Sequence, residues 1–316
     1  MLVRLAGNIF WLARYLERAE NTARLLRALQ RQSLLPEFTN STDLFLTALA
    51  VVDDLEAFHA DSRDDSAHAV LEFMITNRDN PSSVVSCFAA IRENARGARH
   101  SLTTGYWEAI NTAYLEACKL ARDGLPPHGI DEVLDWATHR CQWIRGAADD
   151  LLRDEVPQVL SFGQAIERAD FTARLVEVMI DALPKVDKVD LQGTGNADYR
   201  CWLSLVEAAD ITETWLRYNH NRKVGRTALR LLIANPHTTR SLLTNAQRLC
   251  AACERITGRD DSPTLHAAQE LVDHVSGILL EDDVSVEHIE ATMRQTVQKI
   301  WRVSELFITD HASIPA

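Results

Sequence analysis

The sequence predicts an all-α fold, a helical bundle built from two related halves with a pseudo-twofold internal repeat. Three observations carry this: few breakers, apolar residues at helical spacing along the whole chain, and one long polar repeat. The 316 residues include 12 glycines and 9 prolines, about 7% of the chain against roughly 12% on average. That leaves little room for the turns of a β fold and fits long helices with short connections.

The helices follow in order. Leu2–Leu34 carries Leu5, Ile9, Leu12, Leu16, Ala19, Ala23 and Leu26 at intervals of 3 and 4, and Pro36 ends it. Ser41–Phe58 is a second helix, closed by the polar run Asp61–Asp65, and Ala67–Thr76 a third. Asn80-Pro81-Ser82-Ser83 stops that helix and starts the next. Ser82–Arg122 reads as two helices, or one bent near Thr103-Thr-Gly105. Beyond the break Gly124–Gly129 come Ile130–Arg153 and Val159–Leu183, divided by Pro157. The polar stretch Pro184–Asn196 reads as a loop or lid. Tyr199–Tyr218, Gly225–Ala234, Thr239–Thr257, Thr264–Leu280 and Ser285–Ile308 complete the set. No segment calls for a strand.

With 45 acidic and 33 basic residues the net charge is −12. This argues against a general nucleic-acid binder, which would show a basic excess. The apolar opening is interrupted by Arg4, Asn8 and Arg14, so it reads neither as a signal peptide nor as a membrane span. The six cysteines sit in apolar helical patterns, as small buried hydrophobes do in a reducing compartment. A cytoplasmic location is expected. Cys250-x-x-Cys253 lacks a second pair, and Glu56-x-x-His59 is the one strict Glu-x-x-His motif, so neither structural zinc nor a di-iron centre is expected. The tryptophans fall on helix patterns and read as core or helix contacts. Arg217–Arg226 is the one basic cluster, a solvated helix end or an anion contact. No phosphate-binding glycine loop or serine elbow is present, and no cofactor is expected.

Leu16-Glu-Arg-Ala-Glu-Asn-Thr-Ala-Arg-Leu25 returns 150 residues later as Ile166-Glu-Arg-Ala-Asp-Phe-Thr-Ala-Arg-Leu175. After the leading aliphatic residue, seven of nine positions are identical, and the identity extends to charged residues that amphipathicity alone would not fix. A weaker echo links Val70–Phe73 and Asn80-Pro81 with Ala228–Leu231 and Asn235-Pro236. The halves are placed at about 1–150 and 151–316, within one composite domain spanning 1–316.

At about 100° per residue, Glu17, Asn21 and Arg24 share one line of the first copy, flanked by Arg14 and Glu20, with Arg18 at the edge. In the second copy Glu167, Asp170 and Arg174 occupy that stripe and Arg168 its edge. One reading is a solvated ladder of ion pairs. The other is a seam between the repeats, where carboxylates orient arginines toward an anionic ligand or a partner's carboxylate. Paired carboxylates also suit acid–base chemistry, though no nucleophile stands beside them in sequence.

Asn8–Arg24, with Ile166–Asp170, Asn80–Ser83 and Trp107-Glu108, closely resembles the bacterial alpha-E family, across essentially the whole chain. The resemblance implies an all-helical fold with a Glu-Arg motif, and genes beside those for a circularly permuted ATP-grasp protein and a transglutaminase-like cysteine protease. It therefore implies a part in amide-bond formation or peptide modification. Two roles compete. The first is a non-catalytic partner that docks the ATP-grasp enzyme or presents its substrate. The alternative is an enzyme acting on a peptide or amino acid through the paired Glu-Arg motifs. The expected site is Arg14, Glu17, Arg18, Asn21, Arg24, Glu167, Arg168, Asp170 and Arg174, for a peptide or carboxylate ligand.

Overall fold

The computed structural model describes residues 3–34, 41–60, 64–126, 128–152, 155–181, 196–219, 224–257, 262–278 and 286–312. Among them are helices and no strand. The helices are α1 (Val3–Ser33), α2 (Ser41–Val52), α3 (Leu55–Ala60), α4 (Ala67–Ile75), α5 (Val84–Gly97), α6 (Thr104–Asp123) and α7 (Ile130–Ala147), then α8 (Val156–Asp181), α9 (Asn196–Ala208), α10 (Thr212–Tyr218), α11 (Val224–Ile233), α12 (Leu242–Thr257), α13 (Pro263–Ser276) and α14 (Val286–Phe307). The segment 184–195 expected to be a loop lies outside the described residues, as do Leu183 and Leu280.

Two long helices form the centre. The 31-residue α1 buries both apolar and charged residues on every side, as a helix enclosed by others must. It packs on α8, α5, α7 and α9, while α8 packs on α1, α12, α14 and α2. Around them α5 lies beside α6 and α7 beside α6, and α12 beside α13 and α13 beside α14. Phe10, Phe162 and Phe307 fill the contact between α1, α8 and the chain's last helix, with Phe162 stacked on Phe307 at 4.2 Å. Trp202 and Trp215 are fully buried, and Trp215 donates its indole N–H to the Val224 carbonyl at 3.1 Å.

Local chemistry sets the helix ends. Ser66, Ser83, Thr103 and Ser262 each accept the amide N–H three residues on, satisfying a donor the helix leaves free. Ser82–Arg122 resolves as two helices, α5 and α6, joined by a 3₁₀ turn at Arg99–Ser101. Pro157 does not divide two elements. It lies in the first turn of α8, where its missing N–H costs nothing.

Two expected helices are broken. Ser41–Phe58 turns at Asp53 and Tyr199–Tyr218 at Asp210, residues with φ of 64° and 57°. In each case the next amide donates back to the preceding helix, Asp54 to Leu49 and Ile211 to Val206, both at 2.9 Å. These are left-handed helix stops of the kind glycine usually makes. Aspartate tolerates the same backbone.

Candidate functional site

The two Glu-Arg helices meet where side chains are smallest. A Cβ on Gly163 of α8 would stand 2.7 Å from the Phe10 carbonyl oxygen and 2.9 Å from the Ala13 Cβ of α1. Glycine therefore permits the approach. One turn further along, charged side chains reach across. Arg168 donates to Glu17 through Nε at 2.9 Å and Nη2 at 2.6 Å. In return Arg18 donates its Nε to Glu167 at 2.6 Å, and Arg14 donates its Nε to the other oxygen at 2.7 Å. Glu17, Glu20, Glu167 and Arg168 are all buried.

More arginines converge on the first copy than on the second. Arg145 of α7 binds Glu17 at 2.9 Å and also Glu20, and Arg240, just before α12, reaches Glu17 at 3.4 Å and Asn21 at 2.8 Å. Arg24 pairs with Glu20 at 2.6 Å and Asp210 at 3.0 Å. In the second copy Arg174 pairs with Asp170 at 3.1 Å and Asp53 at 3.3 Å. Asp170 also accepts the Trp301 indole N–H at 3.0 Å.

Burial raises the pKa of a carboxyl and a nearby cation lowers it. Burial pushes Glu17 upward, yet Arg168, Arg240 and Arg145 outweigh it and hold the group down at about 2. Glu167 balances in the same way, burial against Arg18 and Arg14, and also lies at about 2. At Asp170 burial wins over Arg174, and its pKa is raised. Burial, with Arg24 and Arg168 adding to it, pushes Arg240 down to about 10.

A cleft of about 400 Å³ opens beside Glu167, between α1, α2, α8 and α14. Of the nine expected residues, Arg14, Arg18, Asn21, Glu167, Asp170 and Arg174 line it. Arg24 instead lines a second cleft of about 310 Å³ against α7, α9 and α10. Glu17 and Arg168 line neither cleft and lie inside the ion network. The solvated-ladder reading fails for this stripe, because Glu17 is 0% and Arg24 9% exposed. In the first cleft the arginines are braced from two sides. Arg14 lies over Trp11 at 5.1 Å, Arg18 over Tyr15 at 5.6 Å and Arg174 over Trp301 at 5.4 Å, contacts that hold a guanidinium in place. Asn21 accepts the Arg240 Nη1–H at its Oδ1, and among the described residues its buried Nδ2 has no hydrogen-bond partner.

The family model described as a predicted alpha-helical domain with a conserved ER motif matches residues 1–310. The chain belongs to the alpha-E family. No curated protein and no solved structure matches it. Among the described residues of this alpha-E chain, no helix is long and apolar enough to cross a membrane.

Sequence reasoning missed Arg145, Arg240, Ser82, Ser304 and Trp301 as residues of this alpha-E site. The first two complete the network and the others line the first cleft. Arg145 on α7 and Arg240 just before α12 both lie outside the two repeated segments. A signal existed for two of them. The echo around Asn80-Pro81 and Asn235-Pro236 places Ser82 and Arg240 each one residue before a helix-capping serine, Ser83 and Ser241.

Proposed function

We propose that this alpha-E chain is a non-catalytic, cytoplasmic subunit that presents a carboxylate-bearing peptide to a circularly permuted ATP-grasp enzyme, in a system that also includes a transglutaminase-like protein. The observation that carries it is the first cleft. Glu167 fixes Arg14 and Arg18 through their Nε atoms, and Asn21 adds an unpartnered buried donor beside them. Arginines oriented in this way suit planar, two-pronged recognition of a carboxylate. Glu17 and Glu167 are held ionised far below neutral pH, so neither exchanges a proton readily there. That favours binding over catalysis by the Glu-Arg pairs. The partner follows from the family resemblance, and an acidic chain suits docking onto a basic surface.

The test is co-purification with the neighbouring ATP-grasp protein, then ligation assays with and without this chain. Arg14→Lys and Arg18→Lys keep charge and remove the fork, so presentation should fall at least tenfold. Full activity of both variants in the reconstituted system overturns the cleft's role. Ligation by the purified chain alone with ATP overturns the subunit assignment.

We also infer that the halves are structural repeats related by a pseudo-twofold axis near Ala13 and Gly163, with α1–α7 in 1–150 and α8–α14 in 151–316. Reciprocal pairing supports it, as in a self-complementary interface. Arg168 binds Glu17 as Arg18 binds Glu167, and Arg24 binds Asp210 as Arg174 binds Asp53. Superposing α1–α7 on α8–α14 should bring α5 onto α12 and α7 onto α14, and unrelated positions would refute it.

A further inference from the structure

The first cleft has apolar walls beside its arginines: Phe171, Trp301, Val51 and Val52 line it together with Arg14 and Arg18. The pairs Asp170–Trp301 and Glu177–Arg294, with Phe162 stacked on Phe307, show that α8 and α14 run antiparallel. Glu167 and Ser304 therefore stand at one level, where Arg14 reaches both, at 2.7 and 3.5 Å. Phe171 and Trp301 stand at the next level, one helical turn or about 5.4 Å along. These walls are particular to the first cleft. Phe171 stands where the other copy of the repeat has Asn21. Val51-Val52 precede the left-handed stop at Asp53, whereas Ala208-Ala209 precede the stop at Asp210. Buried Leu134, Cys141 and Ile144 on α7 match the spacing of buried Met293, Ile300 and Val303 on α14, which sets Gln142 against Trp301. At each of these places the first cleft has the larger apolar side chain.

We propose that this cleft selects a carboxylate borne next to a large apolar side chain, as at the C-terminal residue of a peptide ending in phenylalanine or leucine. This deepens the reading above and rests on it: the carboxylate sits on Arg14, Arg18 and Asn21, and the side chain between Phe171, Trp301 and Val52. One turn separates the two levels, which is the reach from a residue's α-carboxylate to its own side chain. Charge agrees with an anion. Arg14, Arg18 and Arg174 face the two inner carboxylates, Glu167 and Asp170, so one positive charge is in excess. Asp53, 3.3 Å from Arg174, and Glu305 are exposed, where water screens them. The apolar wall has surface left to cover, because Trp301 is 51% exposed. Its indole N–H is held by Asp170 at 3.0 Å and Arg174 lies over the ring at 5.4 Å. The ring is thus fixed before a ligand arrives, which removes an ordering cost from binding. Covering it with an apolar side chain takes apolar surface of both out of water.

The experiment is thermal unfolding of the full chain, titrated with N-acetyl-phenylalanine, N-acetyl-glycine and the amide of N-acetyl-phenylalanine. N-acetyl-phenylalanine should raise Tm saturably, at concentrations about tenfold or more below those N-acetyl-glycine requires. Trp301→Gln, which installs the side chain found at the matching position 142, should remove most of that preference. Trp301→Phe keeps an apolar ring and should retain it. Both variants change a half-exposed position and leave the buried core intact. Equal responses to N-acetyl-phenylalanine and N-acetyl-glycine overturn the apolar subsite and leave the carboxylate reading standing. A preference undiminished by Trp301→Gln, or lost equally in Trp301→Phe, also overturns the subsite. An amide response as strong as that of the acid supports the subsite and overturns the carboxylate reading. No response to any of the three overturns both.

Discussion

Arg168 holds Glu17 with both arms of its guanidinium, at 2.9 and 2.6 Å, across the interface between the two central helices. Glu17 is fully buried and also faces Arg145 and Arg240. Glu17→Gln leaves three arginines facing one another without their shared anion. Loss of one partner of a buried pair costs about 3–5 kcal/mol, and Glu17→Gln should fall in that range by urea denaturation. Glu177→Gln, which breaks an exposed pair with Arg294, should change stability by less than about 1 kcal/mol.

Acid should unfold the protein through the two glutamates. Their folded pKa is about 2, against about 4.3 in an unfolded chain. A depressed carboxyl stabilises above its unfolded pKa, and that contribution disappears as pH falls through the folded value. Asp170 has the opposite sign, because its raised pKa makes protonation favour the fold. Tm should therefore drop between about pH 4.3 and 2, and Glu167→Gln should flatten the slope. An unchanged slope in that variant refutes the assignment.

Gly163→Ala should loosen the central crossing. The added methyl meets a backbone oxygen at 2.7 Å and another Cβ at 2.9 Å, neither of which is the end of a flexible side chain. Overpacking of this kind costs about 1–3 kcal/mol. Gly105→Ala, at a position with nothing within 4 Å, is the control and should be neutral or slightly stabilising.

The left-handed stops should discriminate by backbone freedom. A β-branched residue at φ near 60° is a steric outlier, so Asp210→Val should cost about 2 kcal/mol. Asp210→Gly loses the same bridge to Arg24 but relieves the backbone, and should cost less than about 1 kcal/mol. Equal losses in chemical denaturation would assign the role to the side chain alone.

The sequence announced its helices more clearly than its helix stops. Periodicity marked α1 and α8 because each carries apolar residues at every turn, and the repeat named the charged residues that meet. The stops at Asp53 and Asp210 were hidden, since aspartate replaces the expected glycine and no breaker interrupts either pattern. The site was half legible. Local spacing aligned Glu17 with Arg24, but only tertiary packing could reveal that Arg145 and Arg240 converge there, or that Arg24 opens to a different cleft. Ser304 gave no signal, whereas Ser82 was marked by the echo of Asn80-Pro81 in Asn235-Pro236.

The arginines bound to Glu167 have a consequence for how this chain is made. Among the described residues both of them, Arg14 and Arg18, come from α1, and Glu17 takes two of its three from beyond residue 160. Neither half is electrically complete by itself. A ribosome that has released only the first 150 residues holds a chain whose central helix must wait for its counter-charges, so the two halves should mature together instead of in succession. Severed within 151–155, they should be insoluble apart and recombine when co-expressed.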